Sequence, residues 1–172
     1  MWRVALNMNT ENTQQLNILP QKSCAFTGHR ELGKDFCKPA FKKALESLIQ
    51  EGVTVFYNGL ALGFDTVVCE TLLELKKKYP QIKIIGCIPC ENQDKYFNFF
   101  QKAKYQRLLK QIDETVMVSS GPYYSGCMQK RNRYMCDRAD VLIAYLKKET
   151  GGTAYTVHYF QNKYPAKKIY FI

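Results

Sequence analysis

The chain has 172 residues, 46% of them hydrophobic, which fits one domain with a substantial core and excludes a disordered polymer. Its 25 Lys and Arg against 15 Asp and Glu give a formal net charge of +10, which suits polyanions or phosphorylated small molecules if it is more than a solvated surface. No apolar run approaches the roughly 18–20 residues that cross a bilayer, so no membrane partner is expected. The opening segment Met1–Gln21 lacks the long apolar centre of a secretory signal and reads as an N-terminal tail ahead of one domain over residues 22–172. Seven cysteines, an odd number with several in apolar segments, indicate buried thiols in a reducing, cytoplasmic setting rather than a disulfide framework.

Apolar β-type runs alternate with helical patterns from Ser23 onward. Ser23–Phe26 is the first predicted strand, ending at Thr27-Gly28. A helix from Pro39 to Gln50 follows, with Phe41, Ala44, Leu45, Leu48 and Ile49 on one stripe and Gly52 as its stop. Val53–Tyr57 is the second strand, and a helix from Asp65 to about Tyr79 ends before Pro80. Ile82–Ile88 is the third strand. Lys95 to Gln111 is predicted as a basic helix carrying Phe99, Phe100, Ala103 and Leu108. Thr115–Val118 is a short fourth strand, and Met128–Arg138 another helix. Val141–Tyr145 is a buried strand, a helix opens at Gly151-Gly152-Thr153, and Lys168–Ile172 closes the order. This alternation predicts an α/β, Rossmann-like three-layer sandwich with a mostly parallel sheet. In such sheets ligands gather at the carboxyl ends of the strands, where the strand order reverses.

Polar or glycine-rich segments sit just after the predicted strands. They are Thr27-Gly28-His29-Arg30, the loop Gly59–Gly63 leading to Asp65, Ser119-Ser120-Gly121, and Gly151-Gly152-Thr153. Glycine lets backbone approach a phosphate closely, and a following helix offers unpaired amides. Arg30 or Arg131 can supply a charge-assisted fork, and Asn132 a contact to ribose or phosphate. One such turn is commonly only a turn with a cap, so it is the joint placement at strand ends that points to a ligand. The spacing excludes a Walker-type phosphate loop, and no Gly-x-Gly-x-x-Gly follows the first strand. Cys87-Ile-Pro-Cys90 has redox-like spacing in the wrong order of elements, and no second close pair completes a zinc site, so both are read as structural and no metal is expected. Of the two histidines, His29 lies in a site loop and His158 reads as helix packing.

The ordered motifs Thr-Gly-His-Arg, Gly-Leu-Ala-Leu-Gly-Phe-Asp, Ile-Pro-Cys-x-x-Gln, Arg-Asn-Arg-Tyr-Met and Gly-Gly-Thr resemble the SLOG superfamily, most closely its small bacterial proteins typified by YpsA. The resemblance runs from about Ser23 to Ile172. It implies a Rossmann-like protein that senses or processes nucleotides, akin to the single-stranded-DNA-binding DprA proteins and the LOG phosphoribohydrolases. Carried over by motif, Gly28, Arg30, Gly59, Gly63, Asp65, Arg131, Asn132, Gly152 and Thr153 line a pocket that Gln93 borders. The glutamate that LOG enzymes place shortly after their Gly-Thr is replaced here by Ala154-Tyr155-Thr156-Val157. Asp65 and Glu70 remain as the acids for a hydrolytic role.

The primary expectation is therefore a nucleotide-binding sensor with no resident cofactor, taking an ADP-ribose-like or NAD-like phosphorylated ligand. A phosphoribohydrolase-type enzyme and DprA-like binding of single-stranded nucleic acid are the alternatives. A homo-oligomer through the tyrosine-rich Ser119–Gly126 loop or the aromatic basic helix is a further expectation.

Overall fold

The computed structural model describes residues 21–172, so the predicted tail lies outside the described residues apart from Gln21. Six strands, β1 (Lys22–Gly28), β2 (Val53–Asn58), β3 (Lys83–Ile88), β4 (Glu114–Met117), β5 (Val141–Tyr145) and β6 (Lys168–Phe171), form one sheet. Their order is β4-β3-β2-β1-β5-β6, and every neighbouring pair is parallel. The helices between them are α1 (Lys38–Gln50), α2 (Phe64–Lys76), α3 (Phe99–Gln111), α4 (Cys127–Arg138) and α5 (Gly152–Lys163). The architecture is the Rossmann-like α/β sandwich expected from the alternating pattern.

The central strands read as unbroken apolar runs because both sheet faces are covered. Alternation sends Cys24 and Phe26 of β1, with Ile143 and Tyr145 of β5, into one core beside Phe41 and Leu45 of α1 and Val68 and Leu72 of α2. Ala25, Leu142 and Ala144 face the other way, against Met135 and Cys136 of α4 and Val157 and Phe160 of α5. A third cluster of Leu60, Cys69, Ile88, Tyr105 and Leu108 seats α3 beside α2.

Two expectations are corrected. The helix predicted from Lys95 starts at Phe99, because Asn98 caps it: its side chain accepts from the Gln101 amide while the Gln101 side chain accepts from the Asn98 amide. Residues Lys95–Phe97 turn before that cap instead of joining the helix. His158 is exposed on α5 rather than packed, since Val157 and Phe160 take the buried positions of that helix.

The topology fixes where a ligand can sit. The chain builds outward from β1 to β4, then crosses back to lay β5 on the other flank of β1. The connections after β1 and β5 therefore diverge, leaving a crevice at their carboxyl ends.

Candidate functional site

A cavity of about 250 Å³ occupies that crevice. Thr27, Gly28, His29 and Arg30 line it from the end of β1, Ala61 and Asp65 from the β2–α2 loop, Met128, Arg131 and Asn132 from α4, and Gly152 and Thr153 from the start of α5. Segments more than a hundred residues apart in sequence meet at one rim.

Gly28 is tied to this place by packing. A Cβ there would lie 2.3 Å from Cδ1 of the buried Phe64 ring. The loop after β1 is also stapled across the crevice, because His29 Nε2 accepts from the Lys147 amide at 2.9 Å. That bond needs a neutral imidazole, and burial with the nearby Lys148 and Lys147 charges holds the His29 pKa below its usual value.

The β2–α2 loop is held from inside. The buried Asn58 side chain accepts from the Leu60 amide at 2.7 Å and donates to the Asp65 carbonyl at 2.9 Å. Leu60 consequently adopts φ 52°, a left-handed conformation uncommon outside glycine. Gly63 has φ +81°, and a Cβ there would collide with the Arg30 backbone at 2.1 Å, so only glycine fits.

Arg131 is the central buried charge, 4% exposed. Its Nη1 donates to the carbonyls of Gly59 and Cys87, and its Nε to Asn132 Oδ1 at 2.9 Å. Its Nη2 meets only the Met128 sulfur, at 3.9 Å. Among the described residues no carboxylate forms an ion pair with it. Asp65 is the acid nearest by position: Arg131 Nη1 and Asp65 Oδ2 both crowd the point where a Gly59 Cβ would stand, at 2.3 and 2.7 Å. Burial pushes the Asp65 carboxyl above its ordinary value, opposed by the Arg131 charge and by a hydrogen bond from the Ala61 amide.

The helix starts add fixed donors. α2, α4 and α5 begin behind Gly63, Gly126 and Gly151, and none has a side-chain cap. Among the described residues, no acceptor meets the amides of Asp65, Met128, Gly152 or Thr153, all residues that line the cavity. α3, which starts elsewhere, carries a complete capping box.

The remaining sequence candidates are placed around the cavity rather than on its wall. Gly59 is buried behind it, gripped by Arg131 and by Gln93, whose Nε2 donates to the Gly59 carbonyl at 2.9 Å. Gly63 borders an adjoining groove, and Gly151 is an exposed residue preceding α5 with φ +93°. Glu70 also faces that groove, where it pairs with Lys104 at 3.2 Å and Arg107 at 3.3 Å. Cys87 and Cys90 are buried, and burial raises both thiols, Cys87 to about 12.

Three contributors escaped the sequence reading. Asn58 had a legible signal, an Asx residue at the end of a strand. Met128 had none. Thr156 accepts from Asn132 Nδ2 at 2.9 Å and donates to the Gly152 carbonyl at 2.8 Å, so Asn132 is held in place on the cavity wall by the protein.

The sequence model of the YspA SLOG family matches residues 24–172. The chain belongs to that family. This SLOG chain is 33% identical over 139 residues to the uncharacterised SPbeta prophage-derived protein YoqJ of Bacillus subtilis, covering 72% of this chain and 81% of the relative. Its fold resembles DNA processing protein A of Helicobacter pylori, whose structural description concerns its single-stranded DNA binding mode, with a TM-score of 0.64 at 20% identity over 87% of this chain and 64% of that one. DprA of Streptococcus pneumoniae gives 0.60 at 19% identity over 88% of this chain. The SLOG chain spans only half of that second protein.

Proposed function

We propose that this chain binds the phosphate of a nucleotide or nucleotide derivative in the cavity between β1 and β5. The observation that carries the reading is the buried, ion-pair-free Arg131 beside the unpaired amides of Gly152 and Thr153 at the strand-order switch. A guanidinium taken out of water is costly, and its neighbouring acid Asp65 makes no ion pair with it and is itself pushed toward the neutral form by burial, so an anion in the cavity would supply the fuller counter-charge. The uncapped helix starts aim partial positive charge at the same point. Arg30, exposed at the rim, adds a second cation.

Calorimetric and thermal-melt titration with ADP-ribose, NAD and mononucleotides tests this. A true ligand at 100 times its dissociation constant adds about 2.7 kcal/mol, roughly 5–10 °C for a chain of this size. Arg131→Met should reduce that shift, and Thr153→Val should do so to the extent that the Thr153 hydroxyl, on the cavity wall, adds a donor beside the amides. Flat melting curves over the whole panel would refute the proposal.

The likeness to DprA supports a second reading, in which the bound phosphate belongs to single-stranded nucleic acid. Oligonucleotides then bind with an affinity that rises with length and falls steeply with salt. Length-independent or absent binding retires that reading. A hydrolytic role rests on Asp65, the carboxyl lining the cavity, whose raised pKa suits a general acid. Asp65→Asn would then abolish release of base from a nucleotide while sparing binding, and absence of turnover by the native chain excludes it.

A further inference from the structure

A larger groove of about 690 Å³ lies on the far side of the β2–α2 loop, between α2 and α3. The loop is a shared wall: Ala61 and Asp65 face the cavity, whereas Leu60 and Leu62 face the groove. Arg30 borders both spaces. Among the described residues no carboxylate pairs with Arg30. The groove is of the size that takes a small organic ligand, and its floor is apolar, with Tyr105 and Leu108 beneath it.

One lip is aromatic. Phe100 lines the groove and is 81% exposed; outside the lining, Phe99 meets its ring at 5.6 Å and is 79% exposed, and Tyr96 nearby in the chain is 83% exposed. Three neighbouring rings left open to water are unusual unless something covers them. Charge argues for what that is. Of the groove's two acids, Glu70 is neutralised by Lys104 and Arg107, while the exposed Glu31 stands next to Arg30 on the rim and offsets part of its charge, leaving the groove without net acidity. A ligand with its anion in the cavity and a flat apolar group beyond Arg30 satisfies both compartments.

We infer that the α2–α3 groove is the base-binding subsite of the same ligand, with the nucleobase stacking on Phe100. The inference rests on the phosphate reading above and deepens it. It makes the chain a reader of two-part ligands, phosphate at one end and aromatic ring at the other, rather than of phosphate alone.

The test compares adenosine monophosphate with ribose 5-phosphate, equal in phosphate charge and different only by the base, on the native chain and on Phe100→Ala, by calorimetry and thermal melt. Stacking of one base on an aromatic side chain predicts that the native chain prefers the monophosphate by about tenfold or more. Phe100→Ala should erase that preference and leave ribose 5-phosphate affinity unchanged. Equal affinity of the native chain for both compounds overturns the groove assignment while leaving the phosphate reading standing. Failure of both compounds to bind, together with flat melting curves for ADP-ribose and NAD, overturns both. An unchanged preference in Phe100→Ala overturns the role of the groove. If that variant also melts lower without ligand, the chain itself or a second copy covers the groove.

Discussion

Gly28→Ala adds one methyl group at a crowded point of the site. The new Cβ would stand 2.3 Å from Cδ1, 2.4 Å from Cγ and 2.6 Å from Cβ of Phe64. That ring is fully buried and cannot slide away, being stacked at 5.8 Å on Tyr145 and wedged by Phe41 at 5.6 Å and Phe36 at 6.1 Å. Overpacking of a closed core costs about 1–3 kcal/mol, and three overlaps with a rigid ring put this substitution at the upper end, about 3 kcal/mol. For a chain of this length each kcal/mol moves the melting temperature about 2–4 °C, so the variant should melt roughly 6–12 °C lower. Gly152→Ala is the matched control, since nothing lies within 4 Å of its added methyl. Thermal and urea unfolding of both variants read the difference. A Gly28→Ala protein within about 0.5 kcal/mol of the native one, the range of ordinary surface changes, would refute the claim that β1 and the start of α2 are locked together.

Gly152→Ala should fold as well as the native chain or up to about 1 kcal/mol better, yet bind a phosphorylated ligand less tightly, because its methyl enters the cavity where an anion would approach; ligand titration beside unfolding separates the two effects. The depressed His29 pKa makes a contribution to stability that is present above about pH 6.5 and lost as pH falls through the lower folded-state value, since protonation removes the acceptor for the Lys147 amide. His29→Gln should therefore flatten the melting temperature between pH 7.5 and 5, conditions set by the experiment around that roughly 6.5 midpoint. Of the seven cysteines only Cys37 is exposed, so an aromatic disulfide reagent should titrate one thiol in the native protein and the remainder after urea; early reaction of Cys87 or Cys90 would contradict their burial.

The sheet was legible because buried parallel strands such as Val141–Tyr145 are continuous apolar runs bounded by turns, and because alternation with helices leaves few topologies. The convergence of Thr27–Arg30, Asp65, Arg131 and Gly152–Thr153 was legible for the same reason, since parallel strands send their following loops to one edge. What sequence could not separate was wall from support. Gly59 and Gln93 follow the motif order as Gly28 does, but they hold Arg131 and its loop from behind. The start of α3 was missed because Lys95–Phe97 has helix-compatible residues, and only the reciprocal Asn98–Gln101 bonds decide where the helix begins.

The run of hydrogen bonds from the Gly152 carbonyl through Thr156 and Asn132 to Arg131 fastens the two helices on one flank of the crevice. That flank cannot yield without breaking a link in the run, so it behaves as a fixed jaw. The opposite margin, at Arg30, is an exposed side chain on a loop. Variation among SLOG chains in the size of molecule accepted should therefore accumulate on the Arg30 side, while the jaw stays constant in shape.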